Sequence, residues 1–544
     1  MDSTRDLFRR LEQLNEIGAA LSKERDINRL LESILVAAKT ITHADGGTLY
    51  RMTEDRQALR FEIIRTDSLH IAMGGTTGTA INFPNLPLTN DKGEPNDSMV
   101  AAYAAIHDKT VNIADAYTEA GFDFSGTRSF DERTGYRSKS FLTVPMKNHE
   151  GEIIGVLQLI NAVDPVAQQV TTFSSADQGL AESLASQAAI ALTNRLLITQ
   201  LEELFESFIN LINLAIDEKS PYTGGHCQRV PALTMMLAEA ADLTEDGPLA
   251  AFKMDDRDRY ELKIAGLLHD CGKVTTPVHV VDKATKLQTL FDRIHLVDTR
   301  FEVLKRDAEI EALRARLALG GANDPAAETR IATRHAEKLR QIEEERAFLR
   351  KSNIGGEAMK EEDQQRVRDI AARYRWRDGE GTEASFLDAD ETENLSMRAG
   401  TLTQKEREII NHHIVATIKM LEQLPWPKHL TRVPEYAGGH HERMDGKGYP
   451  KGLKREQMSW QARMMGIADI FEALTARDRP YKPGMKLSQA MSIMANFKKN
   501  GHIDPDLFDV FVRQGVYRRY AEQFLDPAQV DSVDEATILT AAIG

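Results

Sequence analysis

The proline-free stretch of residues 176–220 constrains the fold of this 544-residue chain more than any other feature. It contains one glycine, and a serine stands just before it, where a helix N-cap is expected. The sequence therefore predicts one long helix that separates an N-terminal region from a C-terminal region. Such a connecting helix suits a signalling rod and the seam of a homodimer. The alternative is a helix that packs back on its own domain.

The N-terminal region, residues 1–175, changes character along its length. Leucine and isoleucine recur at spacings of three and four over residues 1–36, which predicts a helix. Short β-rich runs broken by turn residues follow from about residue 45. His149, Glu150 and Gly151 are predicted to form a hairpin turn between the last two runs. We expect an α+β domain with an antiparallel sheet.

The region after residue 220 is mostly helical and contains eleven of the 15 histidines. Residues 288–400 form a distinct block, in which two charge-rich helical runs flank "GGANDP" and an acidic loop follows. This pattern predicts an inserted antiparallel helical hairpin. It is either a solvated insertion without chemistry, or a dimer arm or lid over a site. Residues 221–287 and 401–544 would then form the two parts of one all-α domain.

Composition excludes several classes of protein. The net charge of −15 argues against general nucleic-acid binding, which needs a basic face. No apolar run approaches the ~20 residues of a membrane span. The charged start lacks the apolar core of a signal peptide, so we expect a cytoplasmic protein. Two cysteines provide no disulfide framework.

Histidine and aspartate occur where helices should face inward. His269 and Asp270 follow the apolar run "IAGLL", and Asp469 lies inside "MMGIADIFEAL". Buried carboxylates and imidazoles must be paired or bound to metal. The adjacent imidazoles of His440 and His441 would repel each other if protonated and would need a shared cation if neutral. Each feature is weak alone, but the set favours a metal site.

Three motifs in order, "HDCGK", "HHERMDGKGYP" and "ADIFEALTARDRPYK", resemble the HD-GYP subclass of HD-domain phosphohydrolases. The resemblance covers about residues 220–287 and 400–500. It implies hydrolysis of cyclic dinucleotides, chiefly cyclic di-GMP, at a centre of two or three iron or manganese ions. The family pattern selects His413 rather than His412 in "NHHIVAT". Adjacent helical residues point about 100° apart, so both cannot reach one metal.

The ligands can be divided between two divalent ions if Asp270 bridges them. One ion would take His226, His269, Asp270 and Asp469, and the other would take Asp270, His413, His440 and His441. Mixed imidazole and carboxylate ligands at six-coordination suit iron or manganese better than tetrahedral zinc. A two-metal site acidifies a bound water and clamps a phosphate, so Asp270 is also assigned as catalytic.

Other residues are candidates for contacting a phosphate or a base. Lys273 would contact the phosphate or protonate the leaving 3′ oxygen. Gly446 frees the loop to turn, and Tyr449 offers a flat face for a guanine. Arg443, Arg479 and Lys482 supply positive charge. Tyr222 stands where three-metal members of the family carry glutamate, so we expect two metals. The insertion at 288–400 also departs from the family.

Residues 130–162 resemble a GAF domain of the type found in cyclic-nucleotide phosphodiesterases and bacterial cyclases. Those domains carry Asn-Lys and then Phe-x-x-x-Asp-Glu. This chain has Asn161-Ala162, Phe173 and Asp177-Gln178, so the lysine and the final glutamate are replaced. The resemblance implies either a sensor for a cyclic nucleotide or another small molecule, or a purely dimerising domain.

The sequence therefore predicts a GAF-regulated phosphodiesterase that converts cyclic di-GMP to pGpG and onward to GMP. Expected partners are cyclic di-GMP, a second copy of the chain through the linker helix, and signalling proteins such as diguanylate cyclases. One alternative is a hydrolase of another cyclic dinucleotide such as 3′,3′-cGAMP. The other is a receptor that binds a cyclic dinucleotide without hydrolysing it.

Overall fold

The computed structural model describes residues 2–90, 92–219, 225–320, 324–356, 358–477 and 484–540. The chain divides into two compact units, Met1–Phe205 and Glu206–Gly544. The first is α+β and the second is mostly helical, which confirms the predicted multidomain fold class.

The first unit is built on an antiparallel sheet with strand order β3-β2-β1-β7-β6-β5, where β4 pairs with β2 and β8 with β7. The strands are β1 Ala44–Met52, β2 Ala58–Thr66, β3 Ile71–Gly74, β4 Leu86–Pro87, β5 Val111–Ile113, β6 Phe141–Lys147, β7 Ile153–Val163 and β8 Val170–Thr171. The helices are α1 Asp2–Leu21, α2 Ile27–Thr42, α3 Val100–His107, α4 Ser125–Thr134 and α5 Ser175–Lys219.

The prediction of a single helix over residues 1–36 is wrong, because the first helix ends at Leu21 and a second begins at Ile27. Asp26 adopts an extended conformation, and its side chain accepts a hydrogen bond from the backbone N–H of Arg29 at 2.8 Å. That bond satisfies a free donor at the start of α2, so the second helix begins at a true N-cap. The apolar spacing continues across this cap, so spacing alone predicts one helix where the chain forms two.

The early part of α5 packs on its own unit, whereas several later apolar residues of the helix are exposed, although Ile209 and Ile216 are buried. Leu180, Leu184 and Leu192 belong to the core that α1 and α2 form with the sheet. Leu201 and Leu204 are exposed. The interpretation that the helix packs back on its own domain therefore applies to its first turns only.

Asn161 and Asp177, which belong to the GAF-like motif, hold loops together. The Asn161 side chain accepts hydrogen bonds from the backbone N–H groups of Lys139 and Ser140, at 2.7 and 3.2 Å. Asp177 accepts from the hydroxyl of Ser174 at 2.7 Å and is paired with Arg10. These contacts are structural.

The second unit consists mainly of helices after α5. They are α6 His226–Asp242, α7 Asp256–Leu268, α8 Val278–Val281, α9 Ile294–Ala318, α10 Pro325–Asn353, α11 Glu361–Arg373, α12 Ala389–Leu395, α13 Gln404–Glu422, α14 Val433–Gly438, α15 Trp460–Thr475, α16 Leu487–Lys499, α17 Pro505–Arg513, α18 Val516–Phe524 and α19 Glu535–Leu539. Helices α6, α7, α13, α14 and α15 pack against one another and surround a buried polar centre.

The block at 288–400 contains the two long helices α9 and α10, which pack together. It has a hydrophobic core of its own, to which Phe301, Ile342 and Phe386 belong. The acidic segment predicted as a loop contains a two-stranded hairpin, β9 Arg375–Arg377 and β10 Glu383–Ser385, and then α12. Asp388 caps α12 in a capping box with Glu391, which explains why this polar stretch is ordered.

Candidate metal centre

The seven proposed ligands come from five helices of the second unit and meet in one place. His226 is the first residue of α6, His269 caps the end of α7, and Asp270 follows it. The others lie in α13, just after α14 and in α15: His413, His440, His441 and Asp469. His269 is completely buried and Asp270 is 2% exposed.

One group of ligand atoms surrounds oxygen Oδ2 of Asp270. His226 Nε2 lies 3.1 Å from this oxygen and His269 Nε2 lies 3.3 Å from it. The two imidazole nitrogens are 3.4 Å apart. Asp469 Oδ1 is 3.3 Å from His226 Nε2. Ligand atoms of His226, His269 and Asp270 therefore lie within 4.8 Å of one another, and Asp469 lies beside His226.

A second group surrounds the other oxygen of Asp270. His413 Nε2 is 3.3 Å from Oδ1 and 3.2 Å from His441 Nε2. The rings of His440 and His441 lie beside each other, with centroids 4.0 Å apart. Candidate ligand atoms of Asp270, His413, His440 and His441 all lie within 4.8 Å of one another. Asp270 is thus shared by both groups, as a bridging ligand would be.

Two unsatisfied atoms show that this centre fits a divalent metal. Asp270 Oδ1 and His440 Nε2 are buried and have no hydrogen-bond partner within the described part of the chain. Most buried polar atoms in proteins are hydrogen-bonded, so these two atoms are available as ligands. An ion held by imidazole and carboxylate would satisfy both atoms.

Three of the histidines are oriented by hydrogen bonds to the backbone. The Nδ1 atoms of His269, His413 and His440 lie 2.5–2.6 Å from the carbonyl oxygens of Gly266, Ile410 and Ala437, each three residues earlier. A neutral imidazole that donates from Nδ1 presents the lone pair of Nε2. The helical backbone thus directs three Nε2 atoms into the centre.

The surroundings of His440, His441 and Asp270 favour neutral imidazole and ionised carboxylate, which are the forms that bind metal. His226 differs, because burial acts to lower its pKa but the carboxylates of Glu472, Asp270 and Asp469 hold that pKa well above its usual value. Burial, reinforced by His441 and His269, holds the pKa of His440 well below its usual value. Burial also lowers the pKa of His441 to about 4. Burial opposes ionisation of Asp270, yet Lys273 and His269 hold the pKa of this carboxyl well below its usual value.

Lys273 reaches into the centre from the 3₁₀ turn Cys271–Thr275. Its Nζ atom lies 2.5 Å from Asp270 Oδ2, and its side chain is 20% exposed. Burial acts to lower the pKa of Lys273, but the carboxylates of Asp270 and Asp469 raise it overall. The side chain is therefore a partly buried ammonium group at the ligand shared by both groups.

A cavity of about 550 Å³ opens beside the centre. Its lining residues include two candidate ligands, a cluster of basic side chains and apolar residues: His440, His441, Arg443, Lys447, Gly448, Tyr449, Asp469, Ile470, Ala473, Leu474, Ala476, Met485 and His502. The volume is within the range of small-molecule sites. Arg443 and Lys447 bring positive charge to this lining, and both lie near the carboxylate of Asp445.

The predicted substrate contacts differ in their placement. Arg443 lines the cavity while paired with Asp445, at 2.8 Å from Nη2 to Oδ2. The ring of Tyr449 stacks on His441 at 4.8 Å, so one of its faces already contacts a candidate ligand. Gly446 adopts a φ of +77° and turns the loop, but Gly448 is the glycine that lines the cavity. A Cβ at Gly448 would lie 2.4 Å from the backbone nitrogen of Arg443.

Tyr222, Arg479 and Lys482 lie outside the described residues. The assignments of Arg479 and Lys482 as substrate contacts, and of Tyr222 as the residue that limits the centre to two metals, remain predictions.

Three residues of this region, Glu472, Lys447 and His502, were not predicted from the sequence. Glu472 is buried, and its Oε2 lies 2.6 Å from His226 Nδ1. Burial acts to raise the pKa of Glu472, but His226 and Arg229 lower that pKa to about 2. Lys447 and His502 line the cavity. Glu472 follows Asp469 by three residues, and this spacing on one helix face was the only available signal.

Comparison with known families defines the class of both units. Residues 26–192 match the GAF domain model. Residues 223–352 and 390–507 match two models described as HD domain. The chain thus combines a GAF domain with an HD domain, and the HD matches together with the buried His/Asp centre indicate divalent-metal binding.

The most similar curated proteins include phosphodiesterases of cyclic dinucleotides. The chain is 40% identical over 121 residues to a cyclic di-GMP phosphodiesterase of Pseudomonas aeruginosa, covering 22% of this chain and 28% of that protein. It is 47% identical over 81 residues to 3′3′-cGAMP-specific phosphodiesterase 1 of Vibrio cholerae, covering 15% and 19%. It is 30% identical over 136 residues to a cyclic di-GMP phosphodiesterase of Thermotoga maritima, covering 24% and 36%. The chain therefore spans roughly a fifth to a third of the lengths of these relatives.

Within the described residues, none of the helices has both the length and the apolar character needed to cross a membrane.

Proposed function

We propose that this chain is a metal-dependent phosphodiesterase that hydrolyses cyclic di-GMP to linear pGpG and onward to GMP. The observation that carries the proposal is the pair of buried His/Asp groups that share Asp270 beside a cavity lined by basic side chains. The similarity to phosphodiesterases of cyclic dinucleotides supports the substrate class. A cyclic dinucleotide carries two phosphates, which suits a cationic cavity in an otherwise acidic chain.

The ligands are assigned in two sets. His226, His269, Asp270 and Asp469 would hold one ion, and Asp270, His413, His440 and His441 would hold the other. The mixed nitrogen and oxygen donors favour iron or manganese. When bound, a pair of such ions supplies an activated water and Lewis-acid stabilisation of the phosphate.

The protein's own side chains supply the remaining chemistry. Lys273 places an ammonium group at the edge of the centre, from which it protonates the leaving 3′ oxygen or contacts the phosphate. Arg443 and Lys447 hold the anionic ligand in the cavity. Tyr449 presents the ring face that does not contact His441 to a guanine.

A second candidate substrate is 3′,3′-cGAMP, because the 47% identity to a phosphodiesterase specific for it is a separate observation. The test is to measure kcat/KM of metal-loaded protein for cyclic di-GMP, 3′,3′-cGAMP and cyclic di-AMP. We expect the highest value for cyclic di-GMP. A higher value for 3′,3′-cGAMP would overturn the substrate assignment but keep the reaction, and binding without turnover would indicate a receptor.

The proposal includes a homodimer formed through α5. Leu197, Leu201, Leu204, Phe208 and Leu211 recur at spacings of four, three, four and three, which is a heptad pattern. Their side chains are between 45% and 63% exposed. A second copy of the same helix is the occupant that this pattern fits best.

Replacing both Leu201 and Leu204 by glutamate is expected to convert the dimer to a monomer, because it places charge in the apolar seam. Light scattering after size-exclusion chromatography measures the mass directly. Asn210→Glu is the matched control, since Asn210 is exposed on the same helix but lies off the heptad positions. A monomeric wild type, or a double variant that stays dimeric, would contradict the seam.

Regulation of hydrolysis by the GAF domain is part of the same proposal, with a cyclic nucleotide or another small molecule as its ligand. Lys219, the last residue of α5, supports a route to the centre. Its ammonium group donates to the backbone carbonyls of Lys273 and Val274, at 3.2 and 2.5 Å. These carbonyls belong to the turn that carries Lys273, so movement of the end of α5 would be transmitted to that turn.

We expect Lys219→Met to lower the basal rate of hydrolysis by about tenfold or more. The turn that carries Lys273 loses two charge-assisted hydrogen bonds, worth roughly 1.5 kcal/mol or more each. Lys219→Arg should retain most of the wild-type rate, since arginine also donates to carbonyls. The initial rate at saturating cyclic di-GMP is the measurement. Wild-type rates in the methionine variant would contradict this route.

The proposal also includes the cytoplasmic location expected from the sequence. It further includes docking of signalling proteins such as diguanylate cyclases. Cys227 and Cys271 are both buried and unpaired, as is usual in a reducing compartment.

A further inference from the structure

The four deeply buried candidate histidines are not oriented in the same way. His269, His413 and His440 each use a carbonyl three residues earlier in the chain, which is a neutral acceptor. His226 opens α6, so no preceding turn of its own helix supplies such a carbonyl. Its acceptor comes instead from Glu472 on α15, 246 residues away in the sequence.

Glu472 is itself held in place. Its side chain is 1% exposed, and its two oxygens serve different partners. Oε2 lies 2.6 Å from His226 Nδ1, and Oε1 accepts from Arg229 Nε at 2.8 Å. Arg229 is three residues after His226 on α6. One carboxylate therefore connects two residues that lie one turn apart on that helix. This arrangement leaves the carboxylate little freedom to rotate.

Helix α15 also contributes Asp469, which lies one turn before Glu472. Asp469 Oδ1 is 3.3 Å from His226 Nε2, whereas Glu472 contacts Nδ1 on the opposite side of the same ring. The imidazole is therefore held between two carboxylates of one helix. Asp469 is positioned to share a metal with His226, and Glu472 is positioned to aim the ring at that metal.

We infer that Glu472 is a positioning residue that tightens only one of the two metal sites, the one assigned to His226, His269, Asp270 and Asp469. A carboxylate that accepts a hydrogen bond from Nδ1–H fixes the tautomer of the imidazole. It also makes Nε2 a stronger metal ligand than a backbone carbonyl in the same position would. The two sites are consequently unequal in affinity. This inference rests on the proposed two-metal centre and adds a difference between its halves.

The test is to measure metal content as a function of free Mn²⁺ by equilibrium dialysis and elemental analysis. Glu472→Gln keeps the shape of the side chain and removes its charge. We expect one of the two dissociation constants to rise about 10- to 100-fold, the usual effect of losing such a partner, while the other stays within about twofold. Hydrolysis lost at limiting Mn²⁺ should return at high Mn²⁺, which a purely structural defect would not allow.

The matched control is Glu391→Gln. Glu391 is also 1% exposed and is paired with an arginine, Arg300, at 2.6 Å, but it lies in the block at 288–400. The control variant should keep both dissociation constants. The thermal midpoints of the two metal-free variants show whether the substitutions damage the fold to different extents.

Three results would overturn the inference. Both sites could weaken equally, both could stay unchanged, or the Glu472 variant could lose both metals together with a metal-free midpoint far below that of the control. The proposed function fails separately, if the wild type binds fewer than two equivalents of Mn²⁺ or of Fe²⁺ loaded without oxygen.

Discussion

Replacing Asp270 by asparagine is expected to reduce hydrolysis of cyclic di-GMP by about 10³-fold or more and to lower metal content from two equivalents to less than one. Asp270 offers one oxygen to each group of ligands and is the residue that the two groups share. Losing it removes the anionic bridge, and metal-based stabilisation of a phosphate transition state amounts to several kcal/mol. Elemental analysis and initial rates are the measurements.

The Asp270 variant needs two comparisons. Asp256→Asn removes a carboxylate from the exposed start of α7 and should change neither quantity. His413→Ala should weaken mainly one site, because His413 contacts only Oδ1 of Asp270. If the His413 and Asp270 variants lose the same amount of metal, Asp270 is not the bridge.

Replacing Lys273 by methionine is expected to lower kcat for cyclic di-GMP by about 10²- to 10⁴-fold, the usual contribution of a general acid. The ammonium group is partly buried and lies 2.5 Å from Asp270 Oδ2. Methionine keeps about the same side-chain volume and removes the proton. The sharpest measurement compares cyclic di-GMP with bis(p-nitrophenyl) phosphate, whose leaving group needs no proton.

If Lys273 protonates the leaving 3′ oxygen, the methionine variant should lose much less activity on bis(p-nitrophenyl) phosphate than on cyclic di-GMP. Equal losses on both substrates would assign Lys273 to phosphate contact instead. Metal content should stay at two equivalents in the variant, and loss of metal would show that Lys273 supports the centre itself.

Local patterns in the sequence predicted the main elements of the fold. The β-rich runs that form β1, β2, β6 and β7 and the hairpin turn at residues 149–151 were predicted correctly. The short strands, such as β4 with two residues and β5 with three, were not predicted. They exist because neighbouring strands provide hydrogen-bond partners, and this tertiary effect leaves little trace in local composition.

The candidate ligands could be found from sequence because several chemically unusual motifs occur in order. The structure brings all seven of the described candidates together, and their assignment to two metals remains a proposal. Glu472 could not be recognised in the same way, since a glutamate on an apolar helix gains its role only from Arg229 and His226, more than 240 residues away. The pairing of Arg443 with Asp445 likewise depends on how the loop turns.

The block at 288–400 was likewise predicted only in part from the sequence. Its charge-rich helices were predicted, but its core was not, because Phe301 and Phe386 come from segments that are far apart in the sequence. Buried Lys283 joins the residues before this block to residues within and after it, through Asn394 and Glu406, each at 2.8 Å. The insertion is therefore fastened to the residues that flank it.

The measurement that most directly tests the central claim is the fate of cyclic di-GMP incubated with the full chain after anaerobic loading with iron or manganese. Products are resolved by chromatography over time, with Asp270→Asn and chelator-treated protein as controls. We predict that wild-type protein forms linear pGpG and that neither control does so at a comparable rate. Cyclic di-GMP that binds but is recovered intact from fully metal-loaded wild-type protein would contradict the assignment of this centre as a phosphodiesterase.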